Sequence, residues 1–299
     1  MKTGFVGIIG RPNVGKSTLL NAILGEKIAI TTEKPQTTRN AIRGIYTHYS
    51  DDELPEDLQM IFIDTPGIHR PRTKLGSYMT DAAIGTLKEV DAIIFIVDDK
   101  LSDGPGDKYI VDLLDDVVTP KILVINKIDK MQPDEFAEIY KEYEDLGLVE
   151  EIIGVSAKEG THVENVIKEV AQFMEEGPMY FPDDMITEHP ERFVVSEIIR
   201  EKILMYLQDE VPHGVAVEIE QYKEEEKITK IHAVIYCEKK SHKGMIIGKG
   251  GRKLKGIGKS AREEIEVLLG TKVYLELWVK VKENWRDSDV ALSNFGYKE

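Results

Sequence analysis

The segment Gly10-Arg11-Pro12-Asn13-Val14-Gly15-Lys16-Ser17 constrains this 299-residue chain more than any other. An apolar run, FVGII, leads into it, and the run STLLNAIL, opening on Ser17 and Thr18, leads out. A turn of the form GxxxxGK[ST] between a buried strand and a helix points successive backbone N–H groups at phosphate oxygens, with the positive end of the helix dipole behind them. Lys16 is then placed to reach the β- and γ-phosphates, and the Ser17 hydroxyl to ligate Mg²⁺. The implied ligand is a nucleoside triphosphate, its base still open.

Up to about Met174, the apolar runs FVGIIG, LQMIFIDT, AIIFIVDD, KILVINK and EIIGVS alternate with amphipathic segments. That order predicts a mostly parallel sheet with helices on both faces, over residues 1–174. Three polar clusters follow such runs: Asp64-Thr65-Pro66-Gly67, Asn126-Lys127-Ile128-Asp129 and Ser156-Ala157-Lys158. They fall at the carboxyl ends of strands, where open α/β sheets bind ligands. A carboxylate at Asp129 can accept both the N1–H and the 2-amino hydrogens of guanine, a donor pair that adenine lacks.

In order and spacing these clusters resemble the motifs of the translation-factor class of P-loop GTPases. The resemblance implies GTP and GDP as ligands, with Mg²⁺, and hydrolysis of GTP. It implies that Asp64 holds Mg²⁺ through water and that the Gly67 N–H contacts the γ-phosphate. It also implies that Asn126 supports the loop and the base, the Lys127 stem packs on the ring, and the Ala157 N–H donates to O6. Between the phosphate turn and Asp64 lies the polar segment ITTEKPQTTRN, Ile30 to Asn40. The resemblance assigns Thr38 there to Mg²⁺ and the γ-phosphate, with Thr31, Thr32 and Thr37 as neighbouring alternatives.

Ile68 occupies the position where Ras-type GTPases carry a water-orienting glutamine, and it has no polar group for that work. The resemblance implies K⁺ here: family members with an apolar residue at that position commonly use it, held partly by an asparagine that corresponds to Asn13. The alternative is that Asn13 only caps a turn. His69 reads as a loop histidine rather than a general base, because GTP hydrolysis depends on positioning and charge stabilisation.

Charge separates the rest of the chain. Residues 1–192 carry 20 Lys and Arg against 36 Asp and Glu, net −16; residues 193–299 carry 19 against 18, net +1. The overall −15 would oppose nucleic acid if it were evenly spread, but Lys239 to Arg262 holds nine basic residues and no acidic one. Inside that run stand Ile246, Ile247, Gly248, Lys249, Gly250, Gly251, Arg252 and Lys253, after Lys243. The segment resembles the IIGxxG core of KH domains, and the order of helix, two strands, helical turn, helix and strand fits their type II form. The resemblance implies single-stranded RNA on the GxxG loop, phosphates paired by the basic side chains, and Ile246 and Ile247 backing a groove for unstacked bases. Cys237, the single cysteine, continues the alternation of Ile231, Ala233 and Ile235 and reads as a core thiol.

Residues 175–192 lose periodicity and contain Pro178, Pro182 and Pro190, which predicts a linker before a small α+β domain at 193–299. As a whole the chain resembles the bacterial ribosome-assembly GTPases that join a GTPase domain to one KH domain, down to Pro35 to Arg39 and the aromatic tail Phe295-Gly-Tyr297. That resemblance implies binding near the 3′ end of 16S ribosomal RNA, assembly of the small ribosomal subunit, a monomer, and peripheral contact with the inner face of the cell membrane. With no apolar run near the ~20 residues that span a bilayer and no secretory signal pattern at the start, a cytoplasmic protein is expected. Alternatives are a related GTPase acting on tRNA or the large subunit, a P-loop kinase or ATPase, and an RNA-binding scaffold with an inert nucleotide site.

Overall fold

The computed structural model describes the chain apart from residues 35, 53, 69–70, 102–105, 208–210 and 298–299, so Pro35 and His69 lie outside the described residues. It divides into two compact units. One comprises Met1–Thr31, Thr38–Arg72 and Gly76–Glu188; the other comprises Thr32–Thr37, Thr73–Leu75 and His189–Glu299.

The first unit runs β1 (Lys2–Ile9), α1 (Lys16–Leu24), β2 (Ile42–His48), β3 (Leu58–Asp64), α2 (Lys74–Thr86), β4 (Ala92–Val97), α3 (Asp107–Asp115), β5 (Lys121–Ile125), α4 (Pro133–Glu144), β6 (Glu151–Gly154), α5 (Val163–Ala171) and β7 (Glu175–Glu176). The strands order as β2-β3-β1-β4-β5-β6, with β7 added along the start of β1. All neighbours from β3 to β6 are parallel, while β2 and β7 pair antiparallel with β3 and β1. β3 and β4 are buried along their whole length, as strands covered on both faces must be. Ile94 and Ile96 enter one core with Val6, Leu19 and Val166; Ile93 and Phe95 enter another with Ile9, Leu114 and Tyr143. That alternation of one strand between two cores leaves loops at the carboxyl edge as the place for a ligand.

Most of the segment expected as a linker lies in this first unit. The Gln59 side chain accepts from the backbone N–H groups of Tyr180 (2.7 Å) and Phe181 (3.0 Å) and donates to the Phe181 carbonyl, while Ile45 N–H donates to the Ile186 carbonyl. Prolines break periodicity there without freeing the chain, because its backbone groups find partners along β2 and β3.

The second unit builds α6 (Glu191–Tyr206), β8 (Ala216–Glu225), β9 (Ile228–Cys237), α7 (Lys240–Ile247), α8 (Arg252–Leu269), β10 (Lys272–Val281) and α9 (Asp289–Asn294). Its sheet orders as β10-β9-β8, with β9 antiparallel to β8 and parallel to β10. Ile231, Ala233, Ile235 and Cys237 of β9 face one core with Ile198 and Ile203 of α6 and Ile257, Ala261 and Ile265 of α8. The thiol is buried, where burial pushes its pKa up. Arg200 of α6 is also buried; it pairs with Glu197 (Nε to Oε1 2.8 Å) and donates to the Thr37 carbonyl. Helix α8 begins at once after the glycine turn, at Arg252.

Candidate functional site

At the end of β1 the chain turns through Gly10 to Gly15 and enters α1 at Lys16. Gly15 has φ 107°, and an added Cβ would stand 2.1 Å from Asn126 Nδ2, so only glycine lets the turn close against the Asn126 loop. Asn126 Nδ2 donates to the Val14 carbonyl (2.8 Å), and its Oδ1 accepts from the Ala157 N–H (3.0 Å). One amide thus joins three separate strand-end loops. Lys127, with φ 65°, runs back along the turn, and its Nζ donates to the Asn13 carbonyl (2.8 Å). Ser156 Oγ donates to Asp129 Oδ1 (2.6 Å), a bond that holds the exposed Asp129 carboxyl below its usual pKa and keeps it an acceptor. Lys158 is exposed beside Glu159.

Under the turn lies a ring of oxygens. Ser17 Oγ donates to Asp64 Oδ2 (2.6 Å) and stands 2.8 Å from Thr38 Oγ1, which itself donates to Asp64 Oδ2 (3.3 Å). Asp64 Oδ1 is buried without a hydrogen-bond partner. Burial pushes the Asp64 carboxyl up to about 6 despite Lys16 and the Ser17 and Thr38 hydroxyls, and it lowers Lys16 to about 8 despite Asp64. A buried carboxylate with one oxygen unpartnered beside two hydroxyls suits a hard cation, which takes oxygen ligands. Ser17, Thr38 and Asp64 offer three oxygen donors within hydrogen-bond distance of one another, a set that fits Mg²⁺. Two of the neighbouring threonines are engaged elsewhere: the Thr32 and Thr37 hydroxyls lie 2.6 Å apart, and Thr37 Oγ1 donates to the Lys34 carbonyl.

Lys16 Nζ donates to the carbonyls of Gly10 (3.2 Å) and Arg11 (2.8 Å), which holds the ammonium inside the turn where phosphates would be met. Thr65 Oγ1 donates to the Ile8 carbonyl (2.8 Å) and the Ile68 N–H to the Gly10 carbonyl (3.2 Å). These bonds draw Thr65-Pro66-Gly67 against the turn, so close that a Cβ on Gly67 would stand 2.7 Å from Pro12 N. Ile68 is buried with Ile9 and Ile63. Asn13 is exposed at the lip of the turn with φ 67°.

In the second unit α7 stops at Gly248, and the chain passes through Gly250 (φ 61°) and Gly251 (φ 75°) into α8. Two left-handed residues in succession let the backbone turn within four residues and leave Lys243, Lys249, Gly250 and Arg252 exposed. Lys253 is half-buried, its Cβ 2.7 Å from where a Cβ on Gly248 would stand. Ile246 is fully buried in the core and Ile247 packs against that core half-buried, so the two stand behind the turn and Ile246 offers no surface of its own. The two apolar residues lie on the inner side of a short helix whose Lys and Met face out.

A groove of about 840 Å³ runs from this turn between α8 and the free edge of β10, lined by Arg252, Leu254, Lys255, Lys259, Arg262 and Leu275 among others. Arg252, Lys255, Lys259 and Arg262 recur at spacings of three, four and three, which places them on one helix face. Sequence reading counted these bases but did not single out the last three as a stripe; the helical spacing was the signal.

Two family models match the chain: one described as a 50S ribosome-binding GTPase over residues 5–127, and a KH domain over residues 210–286. The chain is 60% identical over 298 residues to GTPase Era of Alkaliphilus oremlandii, covering 99% of each. It is 56% identical over 301 residues to GTPase Era of Clostridioides difficile, covering 100% of this chain and 99% of the other. Among solved structures it is similar to Era in complex with MgGDPNP and nucleotides 1506–1542 of 16S ribosomal RNA (TM-score 0.94, 39% identity, all of both chains). It is also similar to a single-substitution variant of Aquifex aeolicus Era bound to GDP·AlF₄⁻ (TM-score 0.91, 38% identity, all of both chains).

Proposed function

Because this chain belongs to the Era family of GTPases, hydrolysing GTP to GDP and phosphate, we propose that it binds 16S ribosomal RNA near its 3′ end and assists assembly of the small ribosomal subunit. The observation that carries the proposal is the likeness along the whole chain to an Era solved on nucleotides 1506–1542 of that RNA. The exposed glycine turn and the basic stripe of α8 on this chain supply the groove such a strand needs.

In the nucleotide site, Ser17, Thr38 and Asp64 would hold Mg²⁺, which neutralises charge between the β- and γ-phosphates. Lys16 and the turn's N–H groups bind the phosphates, Gly67 N–H meets the γ-phosphate, and Asp129, Asn126, Lys127 and Ala157 hold guanine. Hydrolysis needs little covalent help from the protein; it needs water placed in line and charge balanced. With Ile68 turned inward, Asn13 at the lip of the turn would help to hold a K⁺ ion, which would supply part of the balancing charge. The family resemblance supports a cytoplasmic monomer with peripheral contact at the inner face of the cell membrane.

The test is to crosslink the protein to RNA in cells and map the sites. Reads concentrated in the last nucleotides of 16S RNA support the proposal; reads concentrated on tRNA or the large-subunit RNA sink it in favour of a related GTPase.

A further inference from the structure

Asp98 follows β4 at the carboxyl edge of the sheet and belongs to none of the motifs above. Its two oxygens serve two different loops. Oδ2 lies 2.5 Å from Lys127 Nζ and Oδ1 3.3 Å from Arg11 Nη2. Arg11 is fixed from behind, its Nε 2.6 Å from Oδ2 of Asp107, a carboxylate with no exposed surface at the start of α3. Burial works against the Arg11 charge, yet Asp107 and Asp98 hold its pKa above the ordinary value. Asp98 therefore cannot swing freely: one oxygen is claimed by a guanidinium that is itself locked.

We propose that Asp98 is a positioning residue for the nucleotide base, acting through Lys127. This rests on guanine lying on Lys127 and Asp129 as proposed above. The Lys127 stem has four rotatable carbons, and a flat aliphatic surface under a purine exists only if both ends of the stem are fixed. Its Cα end is set by the left-handed turn at φ 65°, and its ammonium end by Asp98 and the Asn13 carbonyl. Ordering a lysine side chain costs rotamer entropy, and an ion pair made before the nucleotide arrives removes that cost from binding. The neutral link from Asn126 to Val14 joins the same loops but does nothing for the lysine stem. Asp98 thus connects base recognition to the phosphate turn through a charge that sits on neither.

A double-mutant cycle on the full chain separates this role from a structural one, with GDP as the probe and melting temperature followed alongside. Asp98→Asn keeps the shape and should weaken GDP at least about threefold, within the range of couplings in one ion-pair network. In a Lys127→Met background, which keeps an apolar stem without the ammonium, the same substitution should change GDP affinity by less than about twofold. Asp98→Glu, which keeps the charge but displaces it, should likewise lose its effect in that background. Equal losses in both backgrounds, or no loss in either, overturn the inference. Asp129→Asn serves as the control for the base site: it should weaken GDP whatever becomes of Asp98. If Asp129→Asn leaves GDP affinity unchanged, the base site itself is misplaced; if it weakens GDP while the cycle is additive, only the role of Asp98 falls.

Discussion

Ile68 stands next to the γ-phosphate loop, yet its side chain is spent on the core with Ile9 and Ile63. A polar group at that position would have to leave its place in the core to reach water, so the catalytic charge must come from another quarter. Asn13 is exposed at the lip of the phosphate turn, in a left-handed conformation that asparagine tolerates. If it helps to hold a monovalent cation there, GTP hydrolysis runs faster in KCl than in NaCl at equal ionic strength, and Asn13→Ala flattens the difference. Removing a single electrostatic donor from such a site commonly costs about 10²- to 10³-fold in kcat, which sets the upper range for the loss. Equal rates in the two salts for the parent protein would leave Asn13 as a turn residue.

At the level of elements, the strand-end loops were legible in the sequence because their backbone geometry admits few residues. Gly15 must pack against Asn126, and Gly67 against Pro12, so the glycines announce the turns. The sheet was legible for the same reason in another form: β3 and β4 are buried on both faces and read as unbroken apolar runs. β2 was not legible, since IRGIYTH mixes charges with a glycine whose missing Cβ makes room for Leu20, Leu24 and Ile28. Nor was the course of residues 177–188, which hangs on one glutamine, Gln59, far away in sequence. Pairings such as Asp98 with Lys127 are set by how strands stack side by side, and spacing along the chain does not encode them. The glycine turn before α8 yields its own prediction. Gly250 sits at φ 61° with nothing within 4 Å of an added Cβ, and aspartate tolerates that backbone region, so Gly250→Asp should fold. It places a negative charge where a phosphate approaches, and RNA binding should fall at least about tenfold, or ~1.4 kcal/mol, with GTP binding intact. Lys259→Ala, farther along the stripe, should lower the slope of log affinity against log salt by about 0.7 if single-stranded RNA tracks α8. Loss of both ligands in Gly250→Asp would indicate misfolding, and loss of neither would remove the turn from the RNA site.

Across the whole molecule, acidic charge is concentrated in residues 1–192 and the basic run in residues 239–262, so two ligands of like charge are taken by differently charged parts of one chain. The segment between the phosphate turn and β2 is divided between the units: Thr32–Thr37 belong with the second and Thr38 with the first, one peptide bond apart. Thr38 shares the oxygen ring with Ser17 and Asp64, and Thr37 is bonded through its carbonyl to Arg200. If Thr38 and Gly67 meet Mg²⁺ and the γ-phosphate as proposed, the triphosphate orders the loops that carry them and the diphosphate releases them. Ordering Thr38 restricts Thr37 as its covalent neighbour, and Thr37 is held by the helix that packs under the RNA-binding elements of its unit. Nucleotide state and RNA affinity should therefore be linked. Full-chain affinity for an RNA covering the last nucleotides of 16S RNA, measured with GDP and with a non-hydrolysable GTP analogue, should be tighter with the analogue. A coupling of ~1 to 3 kcal/mol corresponds to about 5- to 150-fold, and linkage requires RNA to tighten the analogue over GDP by the same factor. Equal RNA affinity in the two nucleotide states would mean that the units are joined by the chain and by nothing else that the nucleotide can move.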